Sequence, residues 1–326
     1  MKLLDGRIFL IKDSILILSV SRKSLLCRWA LKATKKYDLN LLGADVNPYA
    51  PALPMFDQVI SLPSLQEPSF ISELLQNIER FNIKLVIPTR EEELLCLPVF
   101  REKIESSGCK LLCNTLDVTK EMIDKSKFAL FCARQLGCSN LMIIASPEEA
   151  REEDFPLFFR WGKGQTALKV KIENHAALSA AFILCPEGVA ITFLEGSEVS
   201  VDCYVSQEGQ IIYIVPRTRD IILGGESIVT TTIESSVCCD VTEKLLLKAK
   251  IKGPAVLQGM LSEENFVPFE INLRFGGASV LSFQSAYSGI ELAVREYMLG
   301  EKLASRFQYQ PHLMLFKDFK ETYILR

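Results

Sequence analysis

Histidine is scarce in this chain, with only two, and the ten cysteines include no Cys-x-x-Cys pair. Zinc therefore lacks its usual ligand sets, and the thiols read as reduced, mostly buried side chains suited to a cytoplasmic protein. The adjacent pair Cys238-Cys239 reads as packing. No apolar run is long enough to span a bilayer. Lys2, Asp5, Arg7, Lys12 and Asp13 break up the first seventeen residues, so no signal-peptide core forms. The net charge is −3, which gives nucleic acid no electrostatic reason to bind. The turn after the first apolar strand, Ser19-Val-Ser-Arg-Lys23, lacks Gly-x-Gly-x-x-Gly, which argues against a nicotinamide or flavin dinucleotide.

What is present is apolar bulk. With 326 residues and 48% hydrophobic content, the chain can bury a large core divided over two or three domains. Its first third alternates strand and helix. Strands are expected at Ile15–Val20, Leu39–Val46 and Leu85–Pro88, and helices at Leu25–Lys36 and Phe70–Phe81. That order implies a doubly wound parallel sheet covered on both faces. The residues before Ile15 form an appendage. Arg22 and Lys23 open a helix at the functional edge of this sheet, where they suit an anion such as a carboxylate substrate or form an ordinary solvated turn.

The richest stretch is Val267-Pro-Phe-Glu-Ile-Asn-Leu-Arg-Phe-Gly-Gly277. Val267, Phe269, Ile271 and Leu273 alternate with Pro268, Glu270, Asn272 and Arg274, so one face of a strand is apolar and the other carries a carboxylate, an amide and a guanidinium. Hard cations take oxygen ligands of this kind together with a nucleotide's phosphates, and the guanidinium fork suits a transferring phosphoryl group. A solvated face with a cross-strand ion pair fits the same residues. A second strand, Gly253–Leu261, leads through the polar turn Ser262–Asn265 straight back into the first, which sets Gln258 across from Glu270.

Gly253-Pro254, Gln258 and Phe269–Gly277 together resemble the signature of the ATP-grasp superfamily, in the group similar to the large subunit of carbamoyl phosphate synthetase. Leu273 stands where that family usually has proline. The resemblance implies an α/β and α+β fold: an amino-terminal doubly wound parallel sheet, the pre-ATP-grasp domain, over residues 1–114 with 1–14 as appendage, then a two-subdomain ATP-grasp fold. The small subdomain with its phosphate flap would occupy 115–195, and the metal-binding catalytic subdomain 196–326. It also implies ATP with Mg²⁺, or Mn²⁺, held by Gln258, Glu270 and Asn272, with Arg274 facing acyl-phosphate chemistry.

Other segments extend the resemblance. Asp124-Lys125 is similar to the family's entry into its nucleotide-binding half, so Lys125 would meet the phosphates; a solvated lysine on a first helical turn is the alternative. Arg160, Gly162 and Gly164 match the strand end and glycine-containing flap over the triphosphate, although the loop departs from the family pattern at Lys169. Phe193, Leu194 and Glu195 match the hinge that meets adenine, and Glu198 the carboxylate that holds the ribose hydroxyls. Arg217 and Arg219 alternate on one strand and resemble a Pro-Arg-x-Arg segment that would hold phosphates or an acidic substrate; a solvated face fits them as well.

The implied activity is ATP-dependent ligation of a small-molecule carboxylate to an amine through an acyl phosphate, releasing ADP and phosphate. The alternative is a module that binds nucleotide without ligation. A complete carbamoyl phosphate synthetase needs two such halves and a source of ammonia, so a homodimer or a partner chain would have to supply the second half of that reaction.

Overall fold

The computed structural model of the chain describes residues 2–4, 7–9, 12–21, 23–137, 142–161, 168–263, 265–318, 321 and 323. The strand Ser14–Leu18 lies at the centre of a five-stranded parallel sheet, between Asn40–Ala44 and Ile83–Ile87, with Gln58–Ile60 and Lys110–Leu111 at the edges. All five of its residues are buried, which is why it reads as a continuous apolar run rather than an alternating one. Leu16 and Leu18 pack with Leu74 and Ile78 of the helix Phe70–Arg80. Ile15 and Ile17 pack on the other face with Leu26, Cys27 and Ala30 of the helix Ser24–Lys36. Strand order reverses between Ser14–Leu18 and Ile83–Ile87, so their carboxyl ends border the crevice that such sheets use for ligands. A short hairpin, Lys2–Leu4 with Arg7–Phe9, precedes the sheet.

The helix Lys125–Leu136 follows. Asp124 caps it by accepting from the backbone N–H groups of Ser126 and Lys127, both at 3.0 Å, and Gly137 ends it at φ +74. Beyond it lies a small antiparallel sheet in the order Leu168–Ile172, Leu157–Trp161, Val189–Thr192 and Ile143–Ile144. The helix His175–Leu184 covers it, and Phe159 meets Phe182 edge to face at 5.1 Å within that unit's own core.

The largest sheet runs Ile211–Thr218, Ser197–Val205, Gly253–Leu261 and Phe266–Asn272, antiparallel throughout. Val199, Val201, Cys203, Leu257 and Ile271 form its apolar face, packed with Leu245 and Leu246 of the helix Ser236–Lys248 and with Phe128 and Cys132 of the Lys125 helix. A three-stranded sheet, Ile221–Leu223, Glu226–Thr231 and Met314–Phe316, stands beside it.

Two expectations need correction. The apolar phase of the Glu270 strand slips: Phe266 and Pro268 are buried in its first half, Ile271 and Leu273 in its second. Gly259 pairs with Pro268 while its neighbour Gln258 pairs with Glu270, so Phe269 is the extra residue of a bulge, and a bulge resets which residues face inward. The periodicity of Ser288–Leu299 predicts an amphipathic helix closing the domain, but the segment forms only a turn and a half of α-helix, Gly289–Ala293, continued by the wider turns of Val294–Met298. It is mostly buried rather than amphipathic.

Candidate active site

The face of the large sheet opposite its apolar core carries the polar side chains. Arg217 pairs with Ser200, Ser200 with Gln258, and Gln258 with Glu270, so one cross-strand row spans all four strands. Along the last strand, Arg274 Nη2 donates to Asn272 Oδ1 at 3.1 Å and Asn272 Nδ2 donates to Glu270 Oε1 at 3.3 Å. Alternation puts these three on one face, and the hydrogen bonds hold them in a fixed chain.

Glu270 is also where other parts of the molecule converge. Lys125 Nζ, from the first turn of its capped helix, lies 3.8 Å from Glu270 Oε2. Arg160 Nη2, from the small sheet, lies 3.5 Å from the same oxygen, and its guanidinium carbon sits 5.9 Å from the Phe269 ring centroid. The bulge is what turns Phe269 toward Arg160. Gln258, Glu270 and Asn272 are all oxygen donors, one of them ionised, which fits a magnesium ion completed by phosphate oxygens and water. Two cations already gathered at the carboxylate fit a polyanion beside that ion. Arg274 has its charge disfavoured by burial, with Glu91 and Glu270 acting the other way, and its Nε is buried without a hydrogen-bond partner.

The hinge joins the small unit to the large sheet. Phe193 N–H donates to Pro156 O at 3.2 Å, and the Lys171 ammonium lies 4.7 Å from the Phe193 ring centroid. Leu194 is half-buried and Glu195 exposed. Gly196 follows at φ +124, where an added Cβ would fall 2.3 Å from Leu261 O. Glu198 Oε1 is 2.9 Å from Arg219 Nε, and Arg219 also donates to Gly225 O at 3.1 Å. Burial works against the Arg219 charge while Glu198 supports it. Gly162 and Gly164 lie outside the described residues.

Arg217 is a correction. It was expected to hold phosphates or an acidic substrate, yet it is 2% exposed and its Nε donates to Asp202 Oδ2 at 2.6 Å. Ser279 and Ser282 donate to the two Asp202 oxygens at 2.5 and 2.7 Å. The pair is desolvated and fully engaged, so Arg217 braces the sheet under the site instead of facing it. Sequence reasoning missed Asp202. Its signal was its position two residues beyond Ser200, on the strand face that Arg217 also occupies.

A second polar set stands at the edge of the parallel sheet. Glu93 is buried, which pushes its carboxyl up, and it accepts from Ser19 Oγ at 2.5 Å and from Thr89 N–H at 2.7 Å. Asp45 accepts from Ser21 N–H at 2.7 Å and Ser21 Oγ at 2.6 Å. These bonds pin the turn that delivers Lys23, whose ammonium is pushed down to about 8 by burial and then by Arg274. Arg22 lies outside the described residues. Among the described residues no group of three or more histidine, cysteine, aspartate or glutamate side chains could hold a metal, in keeping with a site built on amides and one carboxylate. No helix among them is long and apolar enough to cross a membrane.

Comparison with known proteins gives this arrangement a setting. Residues 15–112 match the family described as PylC-like, N-terminal domain, and residues 185–314 match one described as ATP-grasp in the biosynthetic pathway with Ter operon. No curated protein matches the chain. Among solved structures, biotin carboxylase from Campylobacter jejuni, in complex with an ATP analogue, is similar at a TM-score of 0.73 and 15% identity, over 92% of this chain and 74% of that one. L-amino acid ligase from Bacillus licheniformis is similar at 0.66 and 14%, over 88% and 74%. N5-carboxyaminoimidazole synthetase from Staphylococcus aureus is similar at 0.69 and 14%, over 91% and 79%.

Proposed function

With a single ATP-grasp fold behind a PylC-like amino-terminal domain as the premise, we propose that this chain is an ATP-dependent ligase that joins a carboxylate to an amine through an acyl phosphate. The observation that carries the reading is the convergence of Lys125 and Arg160, from two separate parts of the chain, within 4 Å of one carboxylate oxygen of Glu270.

In the first step a carboxylate oxygen attacks the γ-phosphorus of ATP, the bond to the β-phosphate oxygen breaks, and ADP leaves. The amine nitrogen then attacks the acyl carbon, phosphate departs with the electron pair, and the amine proton passes to solvent. Phosphoryl transfer needs positioning and charge neutralisation more than covalent help. Lys125 and Arg160 neutralise the phosphates. Gln258, Glu270 and Asn272 would hold Mg²⁺ or Mn²⁺, which would supply the remaining positive charge. Arg274 meets the transferring group, and Arg219 meets the phosphates or an acidic substrate. Phe193, Leu194 and Glu195 border the adenine. Glu198 receives the ribose hydroxyls once it gives up Arg219, a task that suits a bidentate acceptor. The largely buried, high-pKa thiols (Cys27, Cys109 and Cys113 pushed up to about 12) suit a cytoplasmic setting.

The test is ADP release by purified protein with Mg·ATP across pooled carboxylates and amines, beside a Glu270→Ala variant. Release that depends on one pool and vanishes in the variant supports a ligase. Calorimetric Mg·ATP binding without release supports a nucleotide-binding module, and the absence of both signals refutes the assignment of these residues to nucleotide.

A further inference from the structure

We propose that the carboxylate substrate is a bulky apolar acid, seated in the cavity between the parallel sheet and the three-stranded sheet with its carboxylate beside Lys23 and Lys317. The inference rests on the ligase reading only for the reaction the acid undergoes.

The cavity measures about 1480 Å³. One wall comes from the carboxyl edge of the parallel sheet, with Val46, Leu53 and Val59; the other comes from Leu223 and Ile228 of the three-stranded sheet. Val46, Val59 and Leu223 are 68%, 49% and 58% exposed, so large apolar side chains from the borders of two separate sheets line one shared space. An apolar, concave space between domains with a few placed charges is the usual form of a small-molecule site. A small polar acid would leave these walls wet, whereas an aryl or alkyl chain would cover them.

Lys23, Glu226, Lys317 and Gly277 line the cavity, as do Arg28, Asp45, Asp318 and Glu321. Lys317 Nζ lies 3.1 Å from Glu226 Oε1, and Glu226 fits there because residue 277 has no side chain: an added Cβ would fall 1.1 Å from the same oxygen. Lys317 is therefore paired with that carboxylate, which also favours the charge on Lys23. Burial disfavours the charge on both lysines, and Arg274 adds to this at Lys23, so an arriving carboxylate relieves all three. Gly277, five residues beyond the Phe266–Asn272 strand, lies against Glu226, so the acid's carboxylate end is directed toward the end of that strand and its apolar end toward Val59 and Leu223.

Calorimetric titration of the full chain at neutral pH with acetate, octanoate and 4-phenylbutyrate tests this. The two larger acids are expected to bind at least tenfold more tightly than acetate. Val59→Asp and Leu223→Asp, both at exposed positions that leave the core intact, should each weaken octanoate at least tenfold, and Lys23→Met should weaken octanoate and 4-phenylbutyrate alike. Circular dichroism shows whether each variant is folded. Equal affinity for the three acids, no binding of any, or octanoate binding indifferent to Leu223→Asp overturns the proposal. So does sedimentation showing that Leu223→Asp acts by dissociating a self-associated form. Mg·ATP is titrated separately into the unsubstituted chain, so a failure of the nucleotide reading appears in that experiment alone.

Discussion

Gln258 and Glu270 stand directly opposite one another on adjacent antiparallel strands, and this pairing sets the spacing of the proposed metal platform. Lys125 and Arg160 then meet on the Glu270 carboxylate from two other parts of the chain. Cross-strand neighbours lie about 5 Å apart, close enough for two side chains to share one hydrated cation.

Glu270→Gln keeps the shape of the side chain and removes its charge. Substrate-dependent ADP release is expected to fall at least about 100-fold, the scale of losing one electrostatic contact in a transition state. Stability should change by less than about 1 kcal/mol, because the Glu270 side chain is 26% exposed and its ion pairs are screened. Steady-state kinetics and urea unfolding of the same preparation check both halves.

Asp202→Asn should behave in the opposite way. It strips the charge partner from the buried Arg217, and breaking such a pair costs about 3–5 kcal/mol. Urea unfolding measures the loss. Combining Asp202→Leu with Arg217→Met should recover much of it, since an apolar pair leaves no charge uncompensated.

Gly196→Ala joins backbone strain at φ +124 to a contact with the Leu261 carbonyl. A non-glycine residue forced into that region costs on the order of 1–3 kcal/mol, and the clash adds to it. Thermal unfolding should show the loss, and Mg·ATP affinity should fall because the hinge shifts with it.

Lys23→Met tests a cost the protein carries at its ligand edge. The folded-state value of about 8 lies below the ordinary 10.5, so the penalty is fully present below pH 8 and disappears as pH rises toward 10.5. The variant should therefore be more stable at pH 7 by up to about 3 kcal/mol, with the advantage shrinking above pH 8. Melting temperatures at pH 6, 8 and 10 on both proteins reveal the trend.

Much of this arrangement was legible in the sequence because it rests on local patterns. The opposition of Gln258 and Glu270 followed from one polar turn between two apolar strands, and Asp124 and Gly137 are residue types that open and close a helix such as the one carrying Lys125. What escaped depends on contacts between distant segments. Whether Arg217 faces solvent or Asp202 is decided by Ser279 and Ser282, about eighty residues further on. The Phe269 bulge escaped because a strict alternation of period two is the simplest reading of that stretch, and an inserted residue leaves no mark in composition. The set of Lys23, Glu226 and Lys317 draws on three segments that only the fold brings together.

The bulge at Phe269 also gives this strand one residue of slack. Losing one residue from Phe266 through Phe269 would remove the bulge and leave Glu270 opposite Gln258 in an unbroken ladder. A one-residue slip of the ladder itself would instead move Glu270, Asn272 and Arg274 together to the opposite side of the sheet, into the space of Ile271 and Leu273. The frame of the site is therefore held by the Gln258–Glu270 pair, and the strand leading into it can shorten by one residue without turning the carboxylate away.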